Sequence, residues 1–152
     1  MADSPRDLET RIADARHRLE HDSDAWMATA GPDGPWLVPL AQVWSNDRMW
    51  FATSSDSPTG RNLTSNTTVR VALGPTRDVV IIDGEAELHP VDAVVDGTEL
   101  ASALADYEHR YSTDPSTWAD VLIAVRPQRV QAWREENELK GRTILRDGAW
   151  LA

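Results

Sequence analysis

The segment Ser57-Pro58-Thr59-Gly60-Arg61 has the residue types and the spacing of an anion site at the start of a helix. Serine is a preferred helix N-cap and proline is favoured at the first helical position, so a short helix is predicted to begin at Pro58. The backbone N–H groups of Thr59 and Gly60 would then point at a bound phosphate, and Arg61 would add a charge-assisted hydrogen bond. Because such caps are common, the residues alone favour a solvated loop with Arg61 in a surface ion pair, and the phosphate site is the alternative.

The four histidines are the other side chains that could carry chemistry. His17 and His21 are four residues apart on a predicted helix, which suits two metal ligands, but no third ligand follows at a suitable spacing. His89 and His109 have no partner in the pattern, and no Ser/His/Asp order or carboxylate pair stands out among the 25 acidic residues. The sequence therefore predicts no metal site and no side chain that carries acid–base catalysis.

The composition limits the classes of partner. With 15 basic and 25 acidic residues the formal net charge is −10, so the field of the molecule repels nucleic acid and anionic lipid surfaces. The absence of cysteine excludes disulfides and thiolate sites and is typical of intracellular proteins. The sequence shows neither a signal peptide nor an apolar stretch of the roughly 18 residues that a membrane span needs. We therefore expect a cytoplasmic protein that binds neither nucleic acid nor membranes.

The elements that must position these residues begin with an N-terminal helix. Ser4 is predicted as its N-cap with Pro5 at the first helical position, and the helix is expected to run to about His21. Its apolar residues recur every three or four positions and form one stripe that covers a larger body, at Leu8, Ile12, Ala15 and Leu19. The 152 residues are expected to form one domain, with 1–22 as the helix and 24–152 as the body.

From residue 24 the apolar period changes to two, which predicts antiparallel strands joined by short turns. A bulge is predicted at Gly84, a second helix from about Thr98, and a two-residue hairpin turn at Asp147-Gly148. The last long strands are predicted at 121–125 and 129–133. The pattern sums to about six or seven short strands with two helices, which favours a small β-barrel or an α+β sandwich.

Several strings carry a more specific signal, namely residues 27–34 with Pro39-Leu40, residues 50–53, residues 61–63 with Asn66, and residues 82–88. Together they resemble the split-barrel superfamily of the pyridoxamine-phosphate oxidases, whose members bind flavin mononucleotide (FMN), the deazaflavin coenzyme F-420 or occasionally heme. The tail from residue 127 to residue 148 is similar to a subgroup common in actinobacteria, many of whose relatives use the deazaflavin. The resemblance covers nearly the whole chain.

The resemblance implies a mainly β (α+β) fold. This is an antiparallel split β-barrel of six to seven strands, with an N-terminal helix and a second helix before the last long strands. It also implies a homodimer, because in this superfamily two protomers pair and each cofactor lies in a groove between them. A second copy would supply the other wall of the site for a chain this short.

The resemblance changes the preferred interpretation of the Ser57–Arg61 segment, because the family places its cofactor phosphate at this loop. The ring of the cofactor is expected along the strand that contains Pro39, Gln42 and Trp44 and along the end of its neighbour, whereas Trp36 and Trp50 are assigned to the core or the dimer interface. The expected cofactor-binding residues are Pro39, Gln42, Trp44, Thr53, Ser54, Ser57, Thr59, Gly60, Arg61 and Asn62.

The expected function is an oxidoreductase that uses coenzyme F-420 to transfer a hydride to an unidentified small molecule. No catalytic side chain is assigned, because the cofactor carries the chemistry and the protein positions the rings and excludes water. The alternatives are an FMN-dependent oxidase or reductase on the same fold, and a non-catalytic flavin- or ligand-binding dimer. Arg134 and Arg142 near the tail could steer an anionic substrate or form surface ion pairs.

Overall fold

The computed structural model describes residues 3–152, which form nine strands and three α-helices. In chain order the elements are α1 Leu8–His21, β1 Asp24–Gly31, β2 Gly34–Ala41, β3 Val43–Ser45, β4 Arg48–Thr53, α2 Pro58–Ser65, β5 Thr68–Leu73, β6 Val79–Pro90, α3 Glu99–Tyr111, β7 Val121–Trp133, β8 Thr143–Arg146 and β9 Ala149–Trp150. Three one-turn 3₁₀ helices lie at Val91–Ala93, Pro115–Thr117 and Glu136–Glu138.

The strands form one antiparallel sheet whose main path is β2-β1-β5-β6-β7-β4-β3. The two ends of this path, β2 and β3, are separated in the chain by Gln42 alone, so the sheet must curl until its edges approach each other. No ladder joins β2 to β3 within residues 3–152, and the barrel is therefore split rather than closed. The path holds seven strands as the sequence predicts, and the β8–β9 hairpin extends the sheet from β7.

The barrel encloses the main hydrophobic core, and α1 covers it. Ile12, Ala15 and Leu19 of α1 are buried in the same cluster as Met27 and Phe51 of the barrel, so three of the four predicted stripe residues pack as predicted, whereas Leu8 is exposed. A second, smaller cluster lies under α3, where Tyr107 and Ala103 pack against the outer side of β4 and β7. Burying these stripes is the main stabilising term for both helices, since neither would persist alone in water.

The first helix starts later than the sequence predicts. Its N-cap is Asp7, whose carboxylate accepts a hydrogen bond from the Thr10 N–H at 2.8 Å, and the prediction of Ser4 as the cap is wrong. The physical reason is a distant contact, because the backbone N–H and the guanidinium of Arg6 both bind the Glu138 carboxylate at 2.8–3.0 Å. This pair holds the residues before Asp7 in a non-helical path.

The last long strand is continuous, so the prediction of separate strands at 121–125 and 129–133 is wrong. β7 crosses the predicted break through a bulge, where Asp83 pairs with Arg129 and Gly84 pairs with Pro127. A bulge accommodates a proline because its missing N–H is not needed for the ladder there. A side chain at Gly84 would lie 2.5 Å from the Arg126 carbonyl oxygen, so the close approach of β6 to β7 requires the glycine.

Among the described residues, none of the three α-helices has the length and apolar character needed to cross a membrane.

Candidate functional site

The loop between β4 and α2 forms the cap that the sequence predicts. Ser57 is the N-cap of α2, and its hydroxyl accepts the Gly60 N–H at 3.0 Å and donates to the Ser54 carbonyl at 2.7 Å. The Thr53 hydroxyl oxygen lies 3.1 Å from the Ser57 hydroxyl oxygen. Thr53 must donate this hydrogen bond, because Ser57 already donates its only hydroxyl hydrogen to the Ser54 carbonyl. The loop is therefore locked by its own side chains.

The backbone amides at the start of α2 are less available than the sequence suggests. The Gly60 N–H is bound by the Ser57 hydroxyl, and the Arg61 N–H donates to the Ser57 carbonyl at 2.9 Å. The backbone N–H of Thr59 in this first turn has no acceptor among residues 3–152. Thr59 is only 2% exposed, so a ligand has little access to it. In this structure the Gly60 N–H donates to Ser57, so it is not free for a phosphate, and Gly60 as a cofactor-binding residue stays a prediction.

Gly60 has a packing role. A Cβ at this position would lie 2.5 Å from the Ser54 carbonyl oxygen and 2.8 Å from Ser55 backbone atoms. The glycine therefore lets the first turn of α2 press against the loop that caps it. This contact fixes the direction in which the next residue, Arg61, leaves the helix.

An acidic side chain from the start of β7 also holds this loop. Asp120 accepts hydrogen bonds from the Ser55 hydroxyl and, at 2.7 Å, from the Ser55 backbone N–H. The bond from the hydroxyl and then the bond from the amide lower the pKa of the Asp120 carboxyl below its ordinary value. Asp56 is also exposed in this loop.

A groove of about 540 Å³ lies between α2 and the tip of the β1–β2 hairpin, and Arg61, Asn62 and Trp36 line it. Arg61 is exposed, and no carboxylate of the described residues forms an ion pair with it. The surface ion pair that the sequence favoured for this residue is therefore not formed. The groove presents an unpaired guanidinium beside an exposed aromatic ring.

Asn62 holds α2 against the β1–β2 hairpin. Its side-chain amide donates to the Thr29 hydroxyl at 3.1 Å, and Gly31 lies so close to the Asn62 side chain that any Cβ there would clash with it. α2 is thus tied to the hairpin at two points. Thr29 lies 33 positions before Asn62 in the chain, so the spacing of residues in the sequence did not indicate this contact.

Trp36 lies in the groove, although sequence analysis assigned it to the core or an interface. The two-residue turn pairs Gly31 with Gly34 and therefore pairs Thr29 with Trp36, which places both on the face of the sheet that meets α2. The predicted turn already contained this register. Counting across it could have placed Trp36 opposite Thr29.

Of the ten expected cofactor residues, Arg61 and Asn62 line this groove, and three others lie in different parts of the fold. Gln42 is fully buried, and its side-chain amide donates to the carbonyls of Leu19 at 3.1 Å and Asp22 at 2.5 Å, which staples the end of α1 to the β2–β3 junction. Trp44 lines another cavity near Trp150, and Pro39 lies exposed on β2. Of the ten expected residues, the structure brings seven together around the cap loop and α2: Thr53, Ser54, Ser57, Thr59, Gly60, Arg61 and Asn62.

Comparison with protein families shows to which family the chain belongs. Residues 13–134, which contain the hairpin, the cap loop, α2 and all of β7, match the family model described as pyridoxamine 5'-phosphate oxidase. The chain belongs to this oxidase family. The resemblance seen in the sequence and the split-barrel fold expected from it are therefore confirmed.

Solved structures that are similar to the chain are named for different ligands. HutZ, the heme storage protein from Vibrio cholerae, shares 17% identity over 84% of this chain and 95% of that chain, with a TM-score of 0.64. An F420 reductase shares 21% identity over 76% and 94% of the two chains, with a TM-score of 0.61. A FAD-binding protein from Mesorhizobium loti shares 19% over 78% and 90%, with a TM-score of 0.56. At these identities the oxidase-family neighbours establish the fold alone.

Comparison with curated proteins gives no significant match.

Proposed function

We propose that this chain is a homodimeric oxidoreductase that binds coenzyme F-420 and transfers a hydride to a small electrophilic molecule, with FMN as the alternative cofactor. Membership of the oxidase family supports a flavin-type cofactor, and fold neighbours that include an F420 reductase and a FAD-binding protein agree with it. The observation that carries the proposal is the unpaired Arg61 beside the exposed ring of Trp36 in one groove.

Arg61 holds the cofactor phosphate in this proposal. A guanidinium without an ion-pair partner has its donors free for a charge-assisted contact with a phosphate oxygen. The remaining loop residues position it: Ser57 caps α2, Gly60 allows the close packing of the first turn, and Asn62 ties the helix to Thr29. A rigid first turn reduces the side-chain entropy that binding would otherwise cost.

Trp36 provides a flat apolar wall for an aromatic ring. An offset-stacked pair of rings is favourable beyond the area that it buries. The bound reduced deazaflavin supplies the hydride, and the protein orients the ring and keeps water from it. No side chain of this chain is assigned to proton transfer.

A second protomer completes the site. On the outward face of the β1–β2 hairpin, Trp26 lies opposite Pro39 and Ala28 lies opposite Leu37, and both Trp26 and Leu37 are strongly exposed. An apolar sheet face of this kind is typical of a surface that another chain covers. The hairpin carries this face on one side and Trp36 on the other, so the proposed dimer contact and the cofactor groove share one element.

The test is a titration of the protein with F-420 and, separately, with FMN, followed by tryptophan emission. We expect F-420 to quench the emission of the wild type, and Trp36→Phe to remove a large part of that quenching because Trp36 is nearest the ring. Trp133→Phe is the matched control, because Trp133 lies at the far end of β7 under Arg142.

Each outcome of this titration has a fixed meaning. A protein isolated yellow with flavin fluorescence, or quenched by FMN alone, supports the alternative cofactor. A red protein with the Soret band of heme, or no binding of either cofactor at micromolar concentrations, overturns the proposal. Equal quenching in the wild type and the Trp36 variant, with loss in the Trp133 variant, moves the cofactor away from the α2 groove.

A further inference from the structure

A second cavity, of about 700 Å³, lies between the start of α1 and the residues around β8 and shares no residue with the α2 groove. Its lining includes Arg11, Arg142 and Arg146, and none of these three forms an ion pair with any carboxylate of the described residues. Asp7 is the one carboxylate in the lining, and it already caps α1 through the Thr10 N–H. The cavity is a locally positive site on a chain with a net charge of −10.

Arg11 is the most constrained of the three arginines. It is only 7% exposed, and it donates to three backbone carbonyls at 3.1 Å, those of Arg6, Glu138 and Gly141. These bonds use Nε and Nη1, whereas Nη2 has no acceptor among residues 3–152. Carbonyl dipoles satisfy hydrogen bonds but do not neutralise the charge, and a buried charge is stabilised strongly by an ion of opposite sign.

Arg142 and Arg146 supply positive charge at the more open part of the cavity. Arg142 is partly buried, with its guanidinium 5.6 Å from the centre of the Trp133 ring, which orients the side chain without neutralising it. Arg146 is exposed at the end of β8. Among the other arginines, Arg16, Arg61, Arg110 and Arg126 also form no ion pair with the described carboxylates, whereas seven pair with a carboxylate: Arg6, Arg18, Arg48, Arg70, Arg77, Arg129 and Arg134.

The wall of the cavity is apolar where it is not basic. Leu8, Leu139 and Leu151 line it, and all three are among the exposed large hydrophobic side chains of the described residues. A simple inorganic anion would occupy a small part of the volume and leave these leucines in contact with water. A ligand with an apolar part would cover them and gain the corresponding hydrophobic free energy.

We propose that this cavity binds a small organic anion whose oxyanion group meets Arg11, Arg142 and Arg146 and whose apolar part lies against Leu8, Leu139 and Leu151. The site is separate from the proposed cofactor groove and does not depend on which cofactor the protein uses. The recognised chemistry is one phosphate or carboxylate group attached to a compact apolar body.

The test uses phenyl phosphate as the probe, with inorganic phosphate and phenol as its separate halves, in calorimetric titration of the full chain. Phenyl phosphate is expected to bind at least about 10-fold more tightly than either half, because only the whole molecule meets both the arginines and the leucines. In ¹H–¹⁵N spectra the Gly141 amide, at the rim of the cavity, is expected to shift during the titration.

Arg142→Gln is the main variant, because Arg11 holds three carbonyls and its replacement could disturb the fold. Losing one charge-assisted contact is expected to weaken phenyl phosphate binding by about 10-fold or more. Arg77→Gln makes the same change of charge on the exposed β5–β6 connection and is expected to leave the affinity unchanged.

The Arg142→Gln/Arg146→Gln double variant, checked for folding by circular dichroism, keeps the test decisive. If its dissociation constant for phenyl phosphate equals that of the wild type, or if the Gly141 signal does not move at saturation, the proposal is overturned. Tighter binding of inorganic phosphate than of phenyl phosphate would contradict the apolar half. None of these results bears on Arg61, so failure here and failure of the proposed cofactor site are distinguishable.

Discussion

At the scale of single residues, Arg61 differs from its neighbours because nothing in the described chain neutralises it. The loop around it is satisfied internally, with Ser57 bound to Gly60 and Ser55 bound to Asp120. Arg61 is therefore the group of this loop with the most to gain from an anionic ligand.

We predict that Arg61→Ala weakens F-420 binding by about 10- to 150-fold, because it removes one charge-assisted contact worth roughly 1.5 to 3 kcal/mol. Folding is expected to change little, since the side chain is exposed. The effect should be larger at low ionic strength, where the repulsion between the acidic protein and the phosphate is less screened. Fluorescence titration at two salt concentrations measures it.

Arg77→Ala is the matched control for this variant. It removes the same charge from a side chain that is 84% exposed and makes only a 3.7 Å contact with Glu135. Equal dissociation constants for the wild type and both variants would contradict phosphate binding by Arg61 and would make Ser57–Arg61 an ordinary capped loop.

At the scale of elements, the pair of Arg6 and Glu138 ties the segment before α1 to the connection between β7 and β8. Glu138 is 3% exposed and also accepts the Arg134 backbone N–H at 2.8 Å. Hydrogen bonds from the Arg6 side chain outweigh the opposing effect of burial and, with the backbone bonds from Arg6 and Arg134, lower the pKa of the Glu138 carboxyl from 4.5 to about 2. Arg11 lies in α1, directly after this segment, and it donates to the Glu138 carbonyl, so this pair also supports the arginine-lined cavity.

We predict that Glu138→Gln lowers the free energy of unfolding by about 2 kcal/mol at neutral pH, because it removes the charge-assisted hydrogen bonds of Glu138 and leaves the Arg6 guanidinium with Asp14 as its remaining ion-pair partner. Since the folded-state pKa of Glu138 is lowered, its stabilisation is present above the ordinary value of 4.5 and is lost as the pH falls through about 2. The difference between the wild type and the variant should therefore shrink on acidification. Urea denaturation at several pH values measures it.

Glu136→Gln is the control in the same one-turn helix, with an exposed carboxylate. A change within about 0.5 kcal/mol is expected for it. A Glu138 variant as stable as this control would contradict the assignment of the pair as a tie between the two segments.

The sequence predicted those elements whose signals are local. Ser57-Pro58 at α2, Thr98 at α3, Gly84 at the bulge and Asp147-Gly148 at the β8–β9 turn were found where predicted. These signals need only neighbouring residues, such as a side-chain cap or a turn with positive φ.

Features decided by distant contacts could not be predicted in this way. The start of α1 depends on Glu138, some 130 positions further along the chain, and the role of Asn62 depends on Thr29. Gln42 was expected at the cofactor, but the meeting of α1 with the β2–β3 junction places it in the interior. The sequence pattern cannot show which end of a curled sheet a helix will cover.

At the scale of the whole molecule, the outward hairpin face with Trp26 and Leu37 is the surface expected to hold a second protomer. We predict that Leu37→Glu, which places a charge in the centre of this face, converts a dimer to a monomer and weakens cofactor binding together with it. Light scattering at micromolar protein, combined with F-420 titration, measures both effects.

Val95→Glu is the control, because Val95 is 64% exposed against 60% for Leu37 but lies in the connection before α3. It is expected to leave both mass and affinity unchanged. A wild type that is strictly monomeric, or a monomeric Leu37 variant that binds F-420 as tightly as the wild type, would contradict a shared site.

The most direct measurement for the central claim is a crystal structure of the protein with F-420 bound. We predict the cofactor phosphate within about 3 Å of the Arg61 guanidinium, at the start of α2, with the ring system beside Trp36 and a second protomer against it. A phosphate bound instead among Arg11, Arg142 and Arg146, or a ring system remote from the α2 groove, would contradict it.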